Sequence, residues 1–210
     1  MKNFFFIFIF LSLFSKNILS DSFEYNSFNN HGAIGLINMP TARLYNESSY
    51  GFTLYSGEPD QKITMTSNPF NWLEASFFYT NIKDKPYCNV DYDAVCDQDY
   101  KDKGFNFKLQ LKEEGVLPAI AIGINDIAGT GLYSSEYIVG SYGINKTDFH
   151  FGLGWGTLNG SNKSFDNPLG EIHDDFYERT IRIEDQGGQF QPSRYFSGET
   201  TSPFFGLTHV

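Results

Sequence analysis

Two histidines are the first residues that could do chemistry. His150 sits in Phe149-His150-Phe151-Gly152-Leu153-Gly154-Trp155-Gly156, and His173 opens His173-Asp174-Asp175. A hydrolase built on either needs a nucleophile and an orienting group within hydrogen-bond reach. Neither histidine is accompanied by a Gly-x-Ser-x-Gly elbow. A lone histidine among glycines and aromatics reads as a hydrogen-bonded interior residue, so no catalytic residue is assigned. Glu171, Asp174, Asp175 and Glu178 have the types needed to hold Ca²⁺ or to pair in glycoside cleavage. They lie in a polar stretch, where acidic clusters ordinarily face solvent. Asp91-Tyr92-Asp93 and Asp97-Gln98-Asp99 raise the same question and receive the same answer. The full Ca²⁺-loop consensus, with its central Gly and closing Glu, is absent, and neither a metal nor a cofactor is expected.

Sugar binding is the chemistry these residue types suit better. Aromatic rings stack on pyranose faces, while guanidinium, amide and carboxylate groups meet hydroxyls. Tyr177, Arg179, Arg194, Tyr195 and Phe196 supply those ingredients near Glu178, Gln189 and Phe190. The competing reading is that the same aromatics anchor a loop against a wall.

The N-terminus bears on which compartment these groups work in. Lys2 precedes an apolar run from Phe4 to Phe14, followed by small and polar residues up to Ser20. That run is shorter than the roughly 20 residues a spanning helix requires. It has the three-part order of a secretory signal peptide, giving 1–20 as signal and 21–210 as the mature domain. No cysteine lies at the cleavage point, so no lipid-anchor signal is read there. In an exported chain, Cys88 and Cys96 suit a small loop-closing disulfide. A net charge of −10 excludes a nucleic-acid partner, whose phosphates need a basic surface.

The elements that must position these residues are strands. The chain carries 22 Phe, 13 Tyr and 20 Gly, a composition that favours strands and tight turns. Phe105-Asn106-Phe107-Lys108-Leu109-Gln110-Leu111-Lys112 alternates apolar with polar at every step, the period of a strand with two unlike faces. From Trp72 to Ile82, Leu73, Ala75, Phe77 and Tyr79 oppose Glu74, Ser76 and Thr80. Ile120, Ile122 and Ile124 oppose Ala119, Ala121 and Gly123, and Tyr133, Tyr137 and Val139 oppose Ser134, Glu136 and Gly140. Tyr50–Ser56 and Lys62–Ser67 form a hairpin pattern across Gly57-Glu58-Pro59-Asp60. Long polar connections fall at about 83–103 and 157–201.

Two all-β architectures produce this alternation. A soluble sandwich turns its apolar face into a core; a membrane barrel turns it outward to lipid and lines a lumen with the other. The small residues on the non-apolar face, the aromatics at strand ends and the uneven connections favour an antiparallel transmembrane β-barrel. In it Glu74, Lys108, Gln110, Lys112, Glu136 and His150 would face the lumen. Phe105, Phe107, Leu109, Leu111, Phe149, Phe151, Leu153 and Trp155 would face outer-membrane lipid. A secreted β-sandwich that binds carbohydrate is the alternative.

Gly35-Leu36-Ile37-Asn38-Met39-Pro40-Thr41-Ala42-Arg43 resembles the opening motif of the YjbH/GfcD family of exopolysaccharide and capsule biosynthesis proteins. Pro69-Phe70-Asn71-Trp72-Leu73-Glu74, Lys103-Gly104-Phe105-Asn106-Phe107-Lys108 and Pro118–Asp126 are similar in the same order. Gly129-Thr130-Gly131-Leu132, Gly152–Gly156 and Tyr195-Phe196-Ser197-Gly198-Glu199-Thr200 continue the series, so that the resemblance covers about residues 31–210. It implies a Gram-negative outer-membrane barrel that works with polysaccharide and its export machinery. It also implies a longer protein, of which this chain is the N-terminal part. The resemblance carries over no catalytic residue.

Overall fold

The computed structural model describes residues 27–87, 98–160, 165–180 and 190–210. The residues read as a signal peptide, and Cys88 and Cys96, lie outside them. Strands β1 (Gly35–Leu36) and β2 (Met39–Pro40) make a small hairpin. The large sheet holds β3 (Ser49–Ser56), β4 (Asp60–Phe70), β5 (Leu73–Pro86), β6 (Asp99–Lys112) and β7 (Ala119–Ile127). It continues with β8 (Ser135–Ile144), β9 (Thr147–Gly156), the short β10 (Phe165–Asp166) and β11 (Thr200–His209). Its order is β10-β11-β9-β8-β7-β6-β5-β4-β3, an antiparallel sheet in which β3 to β9 form a meander, β11 follows β9 and the short β10 lies outside β11. Only two 3-10 turns, Asp174–Tyr177 and Pro192–Arg194, interrupt the all-β character of the described residues. No described helix is long and apolar enough to cross a membrane. Among the described residues β3 and β10 are the two edges, and the sheet does not close.

The two faces have inverted polarity. Buried side chains along β4 to β6 include Thr64, Thr66, Asn68, Glu74, Ser76, Thr80, Asn106 and Lys108. Their neighbours on the other face, Ile63, Met65, Phe77, Tyr79, Phe105, Phe107 and Leu109, are exposed. Polar groups are covered because the segment 27–45 lies across that face. The same short segment packs Phe28 under Gly51 of β3 and Leu36 and Met39 against Gly206 of β11. One segment can touch strands this far apart in the sheet only if the sheet curls around it. Ala42, Ala119, Ala121, Tyr137 and Val139 form the apolar part of the interior, with Leu158 and Phe204 packed against them. Gly123 is required there: a Cβ would run into the Tyr137 ring, which itself is 1% exposed.

The hairpin across Gly57–Asp60 is present, pairing Ser56 with Gln61 and Ser49 with Asn68. The stretch read as a loop at 83–103 is shorter than its polarity suggested, because β5 runs to Pro86 and β6 starts at Asp99. At that height both faces carry polar residues, so alternation is lost while pairing, such as Asn81 with Lys101, continues. The second long connection ends where Thr200 begins β11, and it contains β10.

Candidate functional site

The interior is organised by the backbone of the 27–45 segment. Glu74 and Lys108 face each other across β5 and β6, and their charged ends are 3.2 Å apart. The Ile34 amide donates to both Glu74 oxygens at 3.3 Å, and Lys108 Nζ donates to the Ile34 carbonyl at 2.9 Å. A buried ion pair is tolerated only when further hydrogen bonds complete it, and here the backbone amide and carbonyl of Ile34 do so. Thr66 Oγ1 donates to the Gly32 carbonyl at 2.5 Å, and Gly32 holds a φ of +77° that side chains resist. His31 packs in the same region. Burial and the nearby Lys62 ammonium lower its pKa from 6.5 to about 4, which keeps the imidazole neutral.

Further along the segment, Gln110 Nε2 donates to the Ala42 carbonyl and the Ala42 amide to Ser141 Oγ, both at 2.9 Å. Arg43 donates to Asp148 through Nε at 2.8 Å and Nη2 at 2.6 Å and pairs with Glu114 as well. Burial alone would lower the Arg43 pKa; Asp148 and Glu114 outweigh it and hold the guanidinium above its usual value.

Ser141 Oγ lies 2.8 Å from His150 Nδ1, and His150 Nε2 lies 3.6 Å from Asp148 Oδ2. This has the residue types of a hydrolytic triad. Ser141 is 0% exposed and its oxygen already accepts the Ala42 amide. The space beside His150 is about 10 Å³, room for about one water molecule and far too small for an acyl substrate. The arrangement fastens the segment to the sheet.

Of the residues expected to line a lumen, Glu74, Lys108 and His150 are buried on this inner face and Gln110 is half-buried. Lys112 is exposed; a register shift between Gln110 and Lys112 takes it past the inner surface, and its ammonium donates to the Glu113 carbonyl. Glu136 is on the other face. It pairs with Ile124 and Trp155, while its neighbour Tyr137 points inward over Gly123. Trp155, expected to meet lipid, is 1% exposed. Both are covered by Asn167, Arg179 and Phe196 from the chain that follows β9.

That cover uses up the groups read as sugar contacts. Arg179 donates to Glu136 Oε2 at 2.7 Å and Oε1 at 3.0 Å, and to the carbonyls of Arg194, Ser197 and Ser134. Arg194 is buried and donates to the Thr180 carbonyl and to Gln191 Oε1. Phe196 meets Trp155 edge-on at 5.2 Å, Tyr195 packs on Phe190, and Tyr177 sits against Gly170. Asn167, 0% exposed, accepts from Trp155 Nε1 and lies within 3.1 Å of the Phe176, Phe196 and Gly198 carbonyls. His173 is exposed and accepts from the Asp175 amide, ordinary capping of a short turn. Among the described residues, no group of three or more His, Cys, Asp or Glu converges as metal ligands would.

Sequence reasoning passed over Arg43, Glu114, Asp148, Asp102, Asp126 and Asn167. Asp148 was accessible, since it precedes His150 by one strand period. Arg43 closes the motif Gly35–Arg43, which the structure shows to be the inserted segment itself.

The profile of the family described as exopolysaccharide biosynthesis protein YbjH matches residues 27–210. The chain belongs to the YjbH family. An Escherichia coli (strain K12) member named uncharacterized lipoprotein YjbH is 36% identical over 168 residues. The alignment covers 80% of this chain and 24% of that protein, so the chain spans about a quarter of its curated relative. No solved structure matches the chain. The matched region in this YjbH-family chain therefore begins at the inserted segment and takes in the whole sheet that wraps it.

Proposed function

We propose that this chain forms the plugged wall of an outer-membrane β-barrel that serves exopolysaccharide biosynthesis, export or surface assembly. The observation that carries the reading is the inverted polarity: a continuous exposed apolar face backed by a buried polar one. Monomeric soluble proteins seldom expose apolar patches beyond a few hundred Å², whereas lipid-facing strands require one. Strands β4 to β9 and β11, of 9 to 14 residues, have the length a tilted spanning strand needs. Tight connections at 71–72 and 145–146 lie at one end, and the longest, 87–98 and the chain after β9, lie at the other beside the short turn 57–59, the asymmetry of periplasmic turns and outer loops.

Further strands complete the wall. Eight strands enclose a space that side chains alone fill, and here a stretch of backbone occupies it too. Because β3 and β11 already run antiparallel in the sheet, closure calls for an even number of additions. Residues 1–20 act as the export signal, and the relative's printed description as a lipoprotein supports an envelope location. The role is non-catalytic: with 27–45 lodged in the interior, the domain supports or docks polysaccharide and export partners instead of offering an open conduit. A secreted carbohydrate-binding sandwich would need a second sheet over Phe77, Phe105 and Phe107, which stand exposed.

Fractionation tests this. Expressed in a Gram-negative host together with the strands that complete the wall, the chain should stay with outer membranes through a carbonate wash and migrate differently on gels before and after boiling. A carbonate-soluble protein whose mobility ignores heat would overturn the barrel.

A further inference from the structure

We infer that the upper end of β6, beyond its pairing with β7, is a saccharide subsite that takes a hexuronate unit; the inference rests on the polysaccharide role proposed above. Strand β6 pairs with β5 from Asp99 onward, but its pairing with β7 begins only at Phe105. Residues 99–104 therefore stand beyond β7, at the end of the sheet with the long connections. The space beside them is a cavity of about 370 Å³, enough for one or two sugar rings.

Its lining has the three chemistries an acidic sugar asks for. Tyr79 and Tyr87 supply rings, and Tyr100, buried with Lys85 Nζ 4.5 Å over its ring, backs them. Tyr87 and Tyr100 lie 6.0 Å apart at 54°, and Tyr79 and Tyr87 are 40% and 49% exposed, so faces remain open for stacking. Asp102 lies deeper, 2% exposed. Its Oδ1 accepts the Lys103 and Thr130 amides, while its buried Oδ2 has no hydrogen-bond partner. An unmatched buried acceptor is costly, and a sugar hydroxyl is the donor that fits it. Lys101 and Lys103 line the same cavity and are exposed. In a chain of net charge −10, two lysines at one opening single out a carboxylate. Asp99, the remaining acid at the rim, is engaged by Asn81 Nδ2 at 3.0 Å. The groups around Arg179 have no such unused capacity.

The test uses the full chain purified in detergent and titrated by calorimetry with oligogalacturonate and with a neutral malto-oligosaccharide of the same length. Oligogalacturonate should bind, and the neutral oligomer should bind far more weakly. Tyr87→Ala and the double variant Lys101→Ala/Lys103→Ala should each weaken binding by roughly tenfold or more, the size of one lost charge-assisted contact. Tyr177→Ala should leave it unchanged. Equal affinity for the two oligomers, or wild-type affinity in both cavity variants, would overturn the subsite. So would absence of binding by a protein that keeps its heat-dependent mobility, an outcome that leaves the barrel standing. Retained, variant-sensitive oligogalacturonate binding by a protein that washes off with carbonate would remove the barrel and keep the subsite.

Discussion

Glu74 and Glu136 are both buried carboxylates paired with a cation, and they lie on opposite faces of one sheet. Glu74 is 2% exposed and meets Lys108 on the next strand, with the Ile34 amide and carbonyl completing the set. Glu136 is 0% exposed and meets Arg179, which arrives on a connection after β9. The first pair is part of the wall and locks the inserted segment to it. The second pins an outer connection over the upper ends of β8 and β9, where the outward face is no longer apolar. Burial alone thus does not identify the interior; the partner's element does.

Breaking the wall pair should have the largest effect. Lys108→Met leaves Glu74 charged and unpaired, a loss of about 3–5 kcal/mol, read as a lower midpoint of the heat-induced mobility change in detergent. Adding Glu74→Gln should recover much of that loss, since the buried charge goes with its partner. A charge on the outward face comes next. Phe107→Lys should cost about 2–4 kcal/mol at mid-bilayer depth and impair membrane assembly, whereas Leu111→Lys, near the strand end, should cost less. A Phe107→Lys variant that assembles normally would contradict lipid contact at that face.

Removing Arg179 should be milder and local. Glu136 keeps the Ser134 hydroxyl and the Phe196 amide as donors, so Arg179→Ala should lose about 1.5–3 kcal/mol of the cover's stability. Proteolysis should then cut within 165–199 while the sheet keeps its mobility shift. If Arg179→Ala instead lowers the midpoint of the whole sheet as Lys108→Met does, the two pairs are not the separate devices described. A last effect, confined to the pH profile, concerns His31. Its pKa falls from 6.5 to about 4 on folding, so the unfolded chain takes up the proton first as pH drops. Stability should fall on acidification from about 6.5 toward about 4, and His31→Gln should flatten that part of the profile.

The strands were legible because a two-residue period survives any tertiary context that keeps the two faces unlike. Phe105–Lys112 and Ala119–Ile124 show it in full. The period failed where the environment changed along a strand. Near Lys101 and Lys103 both faces are polar, so paired residues looked like loop. At Glu136 and Trp155 the outward face is covered by distant chain, so chemical type misreported the side of Glu136 and the surroundings of Trp155. The inserted segment was recognisable as a motif but not as the segment the sheet packs around. Its partners lie far along the chain, with Ile34 bound 40 residues on at Glu74, 74 on at Lys108, and Arg43 bound 105 on at Asp148. No local pattern in Gly35–Arg43 reports contacts at those separations. The cavity above β7 was equally hidden, because it depends on where one strand's pairing stops.

The central claim is that one face of this sheet meets lipid and the other meets residues 27–45. Photo-crosslinking from adjacent positions tests it most directly, with benzoylphenylalanine placed in turn at Phe107 and Asn106 in protein assembled in outer membranes. The account predicts lipid adducts from position 107 and, from position 106, adducts within the protein without lipid. Lipid adducts from both positions, or from neither, would contradict it.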